Sequence, residues 1–174
     1  MAPASTFPVR KRRLWMGAFI PPVSPISLVC SLVLLAQEIS RCVKPRVCQR
    51  RNAAVITRRI KVLSVVFEVV RDSEQPLPPS AVLCFKELYI TMQRTKVLLD
   101  NCSDGSKLWL LMQGESTAYQ FHELTQEIVT ALDVLPLKLL DVTEDVREQV
   151  ELVHRQGRRA KVCADPFEEQ LRKD

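Results

Sequence analysis

Apolar residues recur along this chain at helical spacing. Between Asn52 and Arg71 the residues Ile56, Ile60, Leu63, Phe67 and Val70 fall on one face of a 3.6-residue period, with Arg58, Lys61 and Glu68 on the other side. The segment is rich in Val, Ile and Thr, which favour strands, but a periodic stretch of this length outweighs that preference. An earlier helix is predicted from Ser27 to about Val43, closed by Pro45. "DSEQPLPPS" (Asp72 to Ser80) is a loop whose prolines stop the second helix. A third helix runs from about Ala81 to Cys102, with Phe85, Leu88, Met92, Thr95, Leu99 and Cys102 on one stripe and Leu83, Ile90 and Val97 on a neighbouring one. Two stripes predict a central helix that touches neighbours on both sides.

"NCSDGS" (Asn101 to Ser106) reads as a capping loop, with Gly105 free to turn left-handed and Ser106 placed to cap the next helical segment. Leu108, Trp109, Leu111 and Met112 then form a short helical segment whose Trp and Met are expected in the core, and Gly114 with Ser116 marks a break. A longer helix is predicted from about Thr117 to Val134, with Phe121, Leu124, Ile128, Leu132 and Leu135 on its stripe and Pro136 as its stop. His122 falls beside that stripe, on the rim with Ala118 and Val129, where it is expected to hydrogen-bond a neighbouring loop or helix end. The segment from Trp109 to His122 is then a hinge and buried seam between two helices.

A last helix is predicted over Asp141 to Val162. Its start is capped by Asp141 with Glu144, or by Thr143 with acids in the first turn. Val146, Val150 and Val153 face inward, Glu151 pairs with Arg155 outside, and Gly157 with "RRAK" loosens or ends the helix. "DPFEEQ" (Asp165 to Gln170) reads as the start of a further helix, with Asp165 as cap and Pro166 at the first position. The expected fold is therefore all-α, an up-and-down bundle of four to five helices.

Charge and cysteine content narrow this picture. The 174 residues carry a net charge of +5, but eight basic residues against Glu38 alone fall in positions 1 to 50, and seventeen basic against nineteen acidic in the rest. The bundle is thus close to neutral, which speaks against a nucleic-acid surface. "RKRR" (Arg10 to Arg13) and the charge-free run from Leu14 to Ala36 resemble a leader or anchor. Pro21, Pro22 and Pro25 interrupt that run, so a flexible basic arm over residues 1–25 is expected, with residues 10–20 able to meet a membrane surface. Cys30, Cys42, Cys48, Cys84, Cys102 and Cys163 include no C-x-x-C pair and read as thiols in a reducing compartment.

No catalytic, cofactor-binding or metal-ligating set can be assigned. His122 and His154 lie far apart without a cysteine pair, His122 has no nucleophile beside it, and no phosphate-binding glycine motif occurs. The basic sets "RRIK" and "RQGRRAK" are most simply solvated helix faces, with an acidic partner as the other reading. Within them Arg58, Arg59, Lys61, Arg155, Arg158 and Arg159 are the candidate partner contacts.

Taken in order along the chain, "RRNAAVITRRIKVLSVVFEVVRDS", "PPSAVLCFKELYITMQRTKVLLDNCSDGSKLWLLMQ", "FHELTQEIVTALDVLPLKLLDVTEDVREQVELVHRQGRRAKV" and "DPFEEQLR" resemble the N-terminal domain of the plant U-box E3 ubiquitin ligases that carry armadillo repeats. The resemblance implies a helical bundle over residues 26–163, similar to the four-helix domain of the Cbl adaptor. Residues 164–174 would begin a helix cut short before the U-box. It also implies a non-catalytic module that recruits vesicle-tethering or immune-signalling proteins in defence, cell-death or trafficking signalling, and that can self-associate. Such a module would work in the cytoplasm, with the nucleus a further location. Ubiquitin transfer would belong to the U-box and substrate binding to the repeats. A second reading is a bundle that binds anionic lipid through its basic arm.

Overall fold

The structure is a computed structural model that describes residues 19–42, 44–45, 48–164, 170 and 173. Among these residues are six α-helices and a short 3-10 turn, with no strand: α1 (Pro25–Arg41), α2 (Arg50–Asp72), α3 (Pro79–Asp104), α4 (Lys107–Met112), α5 (Gly114–Asp133), the turn Leu137–Leu139, and α6 (Glu144–Arg158). The basic arm over residues 1–18 and the helix start expected over 165–169 lie outside the described residues.

Helix α1 starts at Pro25, which has no amide to lose at the first helical position. It packs against α2 and α3, α3 packs on α5, and α6 lies across α5 and α2. The stripes expected on α2 and α5 are the ones that are buried, from Ile56 to Val70 and from Phe121 to Leu132. Phe67 of α2 and Phe85 of α3 are fully buried and meet edge to face, with ring centroids 5.4 Å apart at 88°. That geometry sets the positive rim of one ring on the negative face of the other.

Polar ties join the helices around this core. Lys96 of α3 pairs with Glu38 of α1 at 2.9 Å. Arg94 pairs with Glu127, and Thr91 Oγ1 donates to the same carboxylate at 3.2 Å, joining α3 to α5. Cys84, on the buried face of α3, has its thiol pushed up to about 12, mainly by burial, so it stays protonated at neutral pH.

Several local expectations change. The neighbouring stripe on α3 is displaced: Leu83 is exposed, and Ala81, Cys84 and Leu98 are buried instead. Helix α3 runs on to Asp104, and Gly105 has φ −65°, so no left-handed turn is made there. Its Cβ position lies 3.0 Å from Leu110 Cδ2, which makes close approach of α4 the constraint. Trp109 is 44% exposed and Met112 67%, whereas Leu110 is 5%. A six-residue helix whose main packing is on α5 lends one side chain to the interior, so the expected buried seam is an exposed apolar edge at this point. Ser106 does cap α4, its Oγ accepting from the Trp109 amide at 3.3 Å.

Gly114 does not break the chain. It is the first residue of α5, and the interruption is one residue earlier, at Gln113. At α6, Thr143 is the cap, accepting from the Val146 amide at 3.4 Å, and Glu144 and Asp145 supply the first-turn acids. The ion pair on α6 is Arg147 with Glu144 at 2.6 Å; Glu151 and Arg155 form none among the described residues. Gly157 is inside the helix and buried. A Cβ built there would fall well inside contact distance of Val129 Cγ2, so the missing side chain is what lets α6 press onto α5. Among the described residues no helix is long and apolar enough to cross a membrane.

Candidate functional site

A cleft of about 220 Å³ opens between the first half of α2, the first half of α5 and residues 160–163 after α6. Helical spacing builds two of its walls. Arg51, Asn52, Val55 and Arg59 recur at one and two turns along α2, and Ala118, Phe121, His122 and Thr125 do the same on α5. Ala160, Lys161 and Cys163 supply the third wall.

The third wall is held by a buried polar knot. Gln49 sits in the left-handed region at φ 60°, a position uncommon for a residue with a side chain, and is 1% exposed. Its side-chain amide donates to the carbonyl of Gly114 at 3.1 Å, tying the entry of α2 to the start of α5. Asn52 Nδ2 donates to Gln49 Oε1 at 2.6 Å and to the carbonyl of Cys163 at 3.0 Å. The chain beyond α6 is thereby drawn back over the cleft.

Three cationic side chains, Arg51, Arg59 and Lys161, line this space, and among the described residues no carboxylate does. Arg59 is half-buried. One terminal guanidinium nitrogen donates to Thr125 Oγ1 at 2.9 Å, while its Nε is buried without a hydrogen-bond partner. Burial holds the guanidinium below its ordinary value, and no carboxylate pairs with it among the described residues. On the facing wall His122 Nδ1 is likewise buried without a partner, and its ring lies 6.5 Å from that of Tyr119. The hydrogen bond expected of His122 to a neighbouring loop is therefore not made at Nδ1.

The six candidate contacts separate. Only Arg59 enters the cleft; Arg58 and Lys61 are exposed on α2. Arg155 and Arg159 are exposed at the end of α6, and Arg158 is held 2.5 Å from Asp133 Oδ1. Arg51, Asn52 and Thr125 were not marked by sequence reasoning. A signal was present, because Arg51, Val55 and Arg59 are spaced by four and share one edge of the Ile56 stripe.

Asp133 closes a second, exposed cluster, where α5 meets α6. His154 Nε2 lies 2.7 Å from the same Oδ1 that accepts from Arg158. The hydrogen bond from Arg158, and then that from His154, hold the Asp133 carboxyl below the usual carboxylate range. A lowered folded-state value gives stability that is complete above the unfolded value of about 4 and is lost as pH falls through the folded one. Asp133→Asn is expected to lower the thermal midpoint at pH 7, where the clasp is complete, and to flatten its fall below about pH 4, so that the two curves converge in acid, read by circular dichroism melts from pH 7 downward. An equally steep fall in the variant would remove this clasp from the acid response.

Among the described residues no group of three or more His, Cys, Asp or Glu side chains is placed to hold a metal ion. The cleft's chemistry is therefore that of hydrogen-bond donors and positive charge.

Comparison with known proteins gives this bundle a context. The family described as "PUB10-like, N-terminal domain" matches residues 50–161, which include both helical walls of the cleft and Lys161. U-box domain-containing protein 1 of Medicago truncatula is 44% identical over 150 residues, covering 85% of this chain and 22% of that protein. U-box domain-containing protein 17 of Arabidopsis thaliana is 39% identical over 194 aligned positions, covering 99% and 27%, and U-box domain-containing protein 16 of the same plant is 40% identical over 158, covering 87% and 23%. The chain spans about a quarter of the length of these curated relatives. No solved structure matches it. With the family matched over most of its length and the helices in the order that the resemblance implied, the chain belongs to the PUB10-like N-terminal domain family of plant U-box proteins.

Proposed function

We propose that this chain is a non-catalytic protein-interaction module of the plant ubiquitin-ligase pathway. It recruits proteins of defence, cell-death or trafficking signalling, among them vesicle-tethering or immune-signalling proteins, in the cytoplasm or nucleus. The observation that carries the reading is the match of residues 50–161 to the N-terminal domain of proteins named for a separate U-box. The cleft adds chemical support. It offers donors and positive charge with no nucleophile and base in hydrogen-bonded sequence, an arrangement suited to binding.

The test uses the full chain and a form lacking residues 1–25 as baits in plant extract, with captured proteins identified by mass spectrometry. Enrichment of the same signalling or tethering proteins by both forms is the expected result. In a reconstituted assay with activating and conjugating enzymes, the chain alone is expected to form no ubiquitin conjugates. Conjugate formation, or capture that depends wholly on residues 1–25, would overturn the reading.

A further inference from the structure

The cleft holds more positive charge than the described residues answer. Arg51, Arg59 and Lys161 converge on about 220 Å³ with no lining carboxylate among the described residues, whereas Arg94, Lys96, Arg147 and Arg158 each have an acid in place. A half-buried guanidinium with a neutral hydroxyl as its one described partner has given up water without gaining a counter-charge. Its Nε and the Nδ1 of His122 are buried without hydrogen-bond partners, and the two side chains that carry them line facing walls of the same space. An anion in the cleft would supply the counter-charge that the Arg59 guanidinium lacks among the described residues.

The size and number of charges choose among anions. The volume is below the 300–1,000 Å³ range typical of small-molecule sites. It suits one compact group at the end of a side chain better than a nucleotide. Three cations with an imidazole exceed what a single carboxylate would neutralise, and match a phosphoryl group carrying nearly two negative charges and three acceptor oxygens. The surroundings disfavour a polyanion surface, because residues 51 to 174 carry seventeen basic against nineteen acidic side chains and the cations are gathered into one concavity.

We propose that the cleft between α2, α5 and residues 160–163 receives a phosphoryl group presented on a phosphorylated side chain of the protein that the bundle recruits, with Arg51, Arg59, Lys161 and His122 as its contacts. This rests on the recruiting role proposed above and names the chemistry of the partner. Thr125 and Asn52 are positioning residues, the first aiming Arg59 and the second holding the segment that carries Lys161.

The full chain has two histidines, so its imidazole NMR signals give an internal control. Titration with inorganic phosphate at constant ionic strength, balanced with chloride, is expected to shift the His122 signals saturably and to leave those of His154 on Asp133 in place. A short phosphoserine peptide should bind at least tenfold more tightly than inorganic phosphate, and its unphosphorylated form should not bind. Arg59→Gln and the double variant Arg51→Gln/Lys161→Gln should each weaken phosphate binding tenfold or more. Arg51 and Lys161 are exposed, so the double variant keeps the test open if loss of Arg59 disturbs folding.

No saturable shift, equal shifts of both histidines, or unchanged affinity in the double variant would overturn the proposal. So would binding confined to phosphatidylserine vesicles. Asp165, Glu168 and Glu169 come after Cys163 in sequence, and neutralising them by Asp165→Asn, Glu168→Gln and Glu169→Gln should change phosphate affinity less than threefold. A gain of tenfold would assign the cleft to the chain's own acids and overturn the proposal. Phosphatase treatment of the extract should abolish partner capture. Undiminished capture after that treatment would overturn the phosphorylated partner and leave the recruiting role standing, whereas capture of nothing by any form would remove the recruiting role itself.

Discussion

Phe85→Ala is expected to lower the free energy of unfolding by about 3–5 kcal/mol, the typical cost of truncating a buried aromatic side chain. Phe85 is fully buried, and its edge-to-face partner Phe67 comes from a different helix, so alanine removes both transfer energy and the ring contact. The rest of the core cluster is fixed by its own packing and cannot close the space fully. Urea unfolding followed by far-ultraviolet circular dichroism reads the effect as a lower midpoint at unchanged slope. Phe85→Leu, which keeps most of the volume and loses the ring pair, should cost much less. Equal costs for the two variants would assign the effect to the ring contact and none of it to the space that the side chain fills.

Gly157→Leu is expected to destabilise the protein by about 1–3 kcal/mol, the usual penalty for inserting carbon into a filled interface. On helix propensity alone the change should stabilise, since leucine exceeds glycine in a helix interior. The sign therefore decides between local preference and packing. A side chain at residue 157 must displace Val129, a stiff, β-branched residue that is itself buried on α5. Gly157 also offers its carbonyl to Gln126 Nε2 at 3.0 Å, so separating the helices opens a hydrogen bond. In a double-mutant cycle, Val129→Ala should recover at least about 1 kcal/mol of the cost of Gly157→Ala, because the two residues share one contact. Additive costs would place the effect elsewhere.

The long amphipathic helices were legible because their burial keeps to one period without interruption. Ile56 to Val70 and Phe121 to Leu132 needed only the assumption of a core on one side. What misled was local composition at short elements. Leu108, Trp109 and Met112 are apolar, but apolar character predicts burial only where an element is long enough to be covered on several sides, and the six-residue α4 buries Leu110 alone. Gly157 was read as a helix terminator because glycine's backbone freedom is a property of the residue itself, whereas its lack of a Cβ matters only against a partner helix 28 positions away in sequence. The candidate site was half legible. Arg59 was singled out together with Arg58 and Lys61, although its position near the Ile56 stripe separates it from both. The third wall could not be read, since nothing in "RRAKVCA" announces that Asn52 will hold it.

The hydrogen bond from Asn52 to the carbonyl of Cys163 spans 111 residues and so has a consequence for the order in which the protein is made. At a synthesis rate of about 5–20 residues per second, Asn52 leaves the ribosome's active site roughly 6–22 s before Cys163 exists. Helices α1, α2 and α3 have that interval to associate through their own contacts, while Asn52 is without its partner at Cys163. The cationic cleft is thus a late product of translation, complete only once residues 160–163 have been made and drawn onto α2.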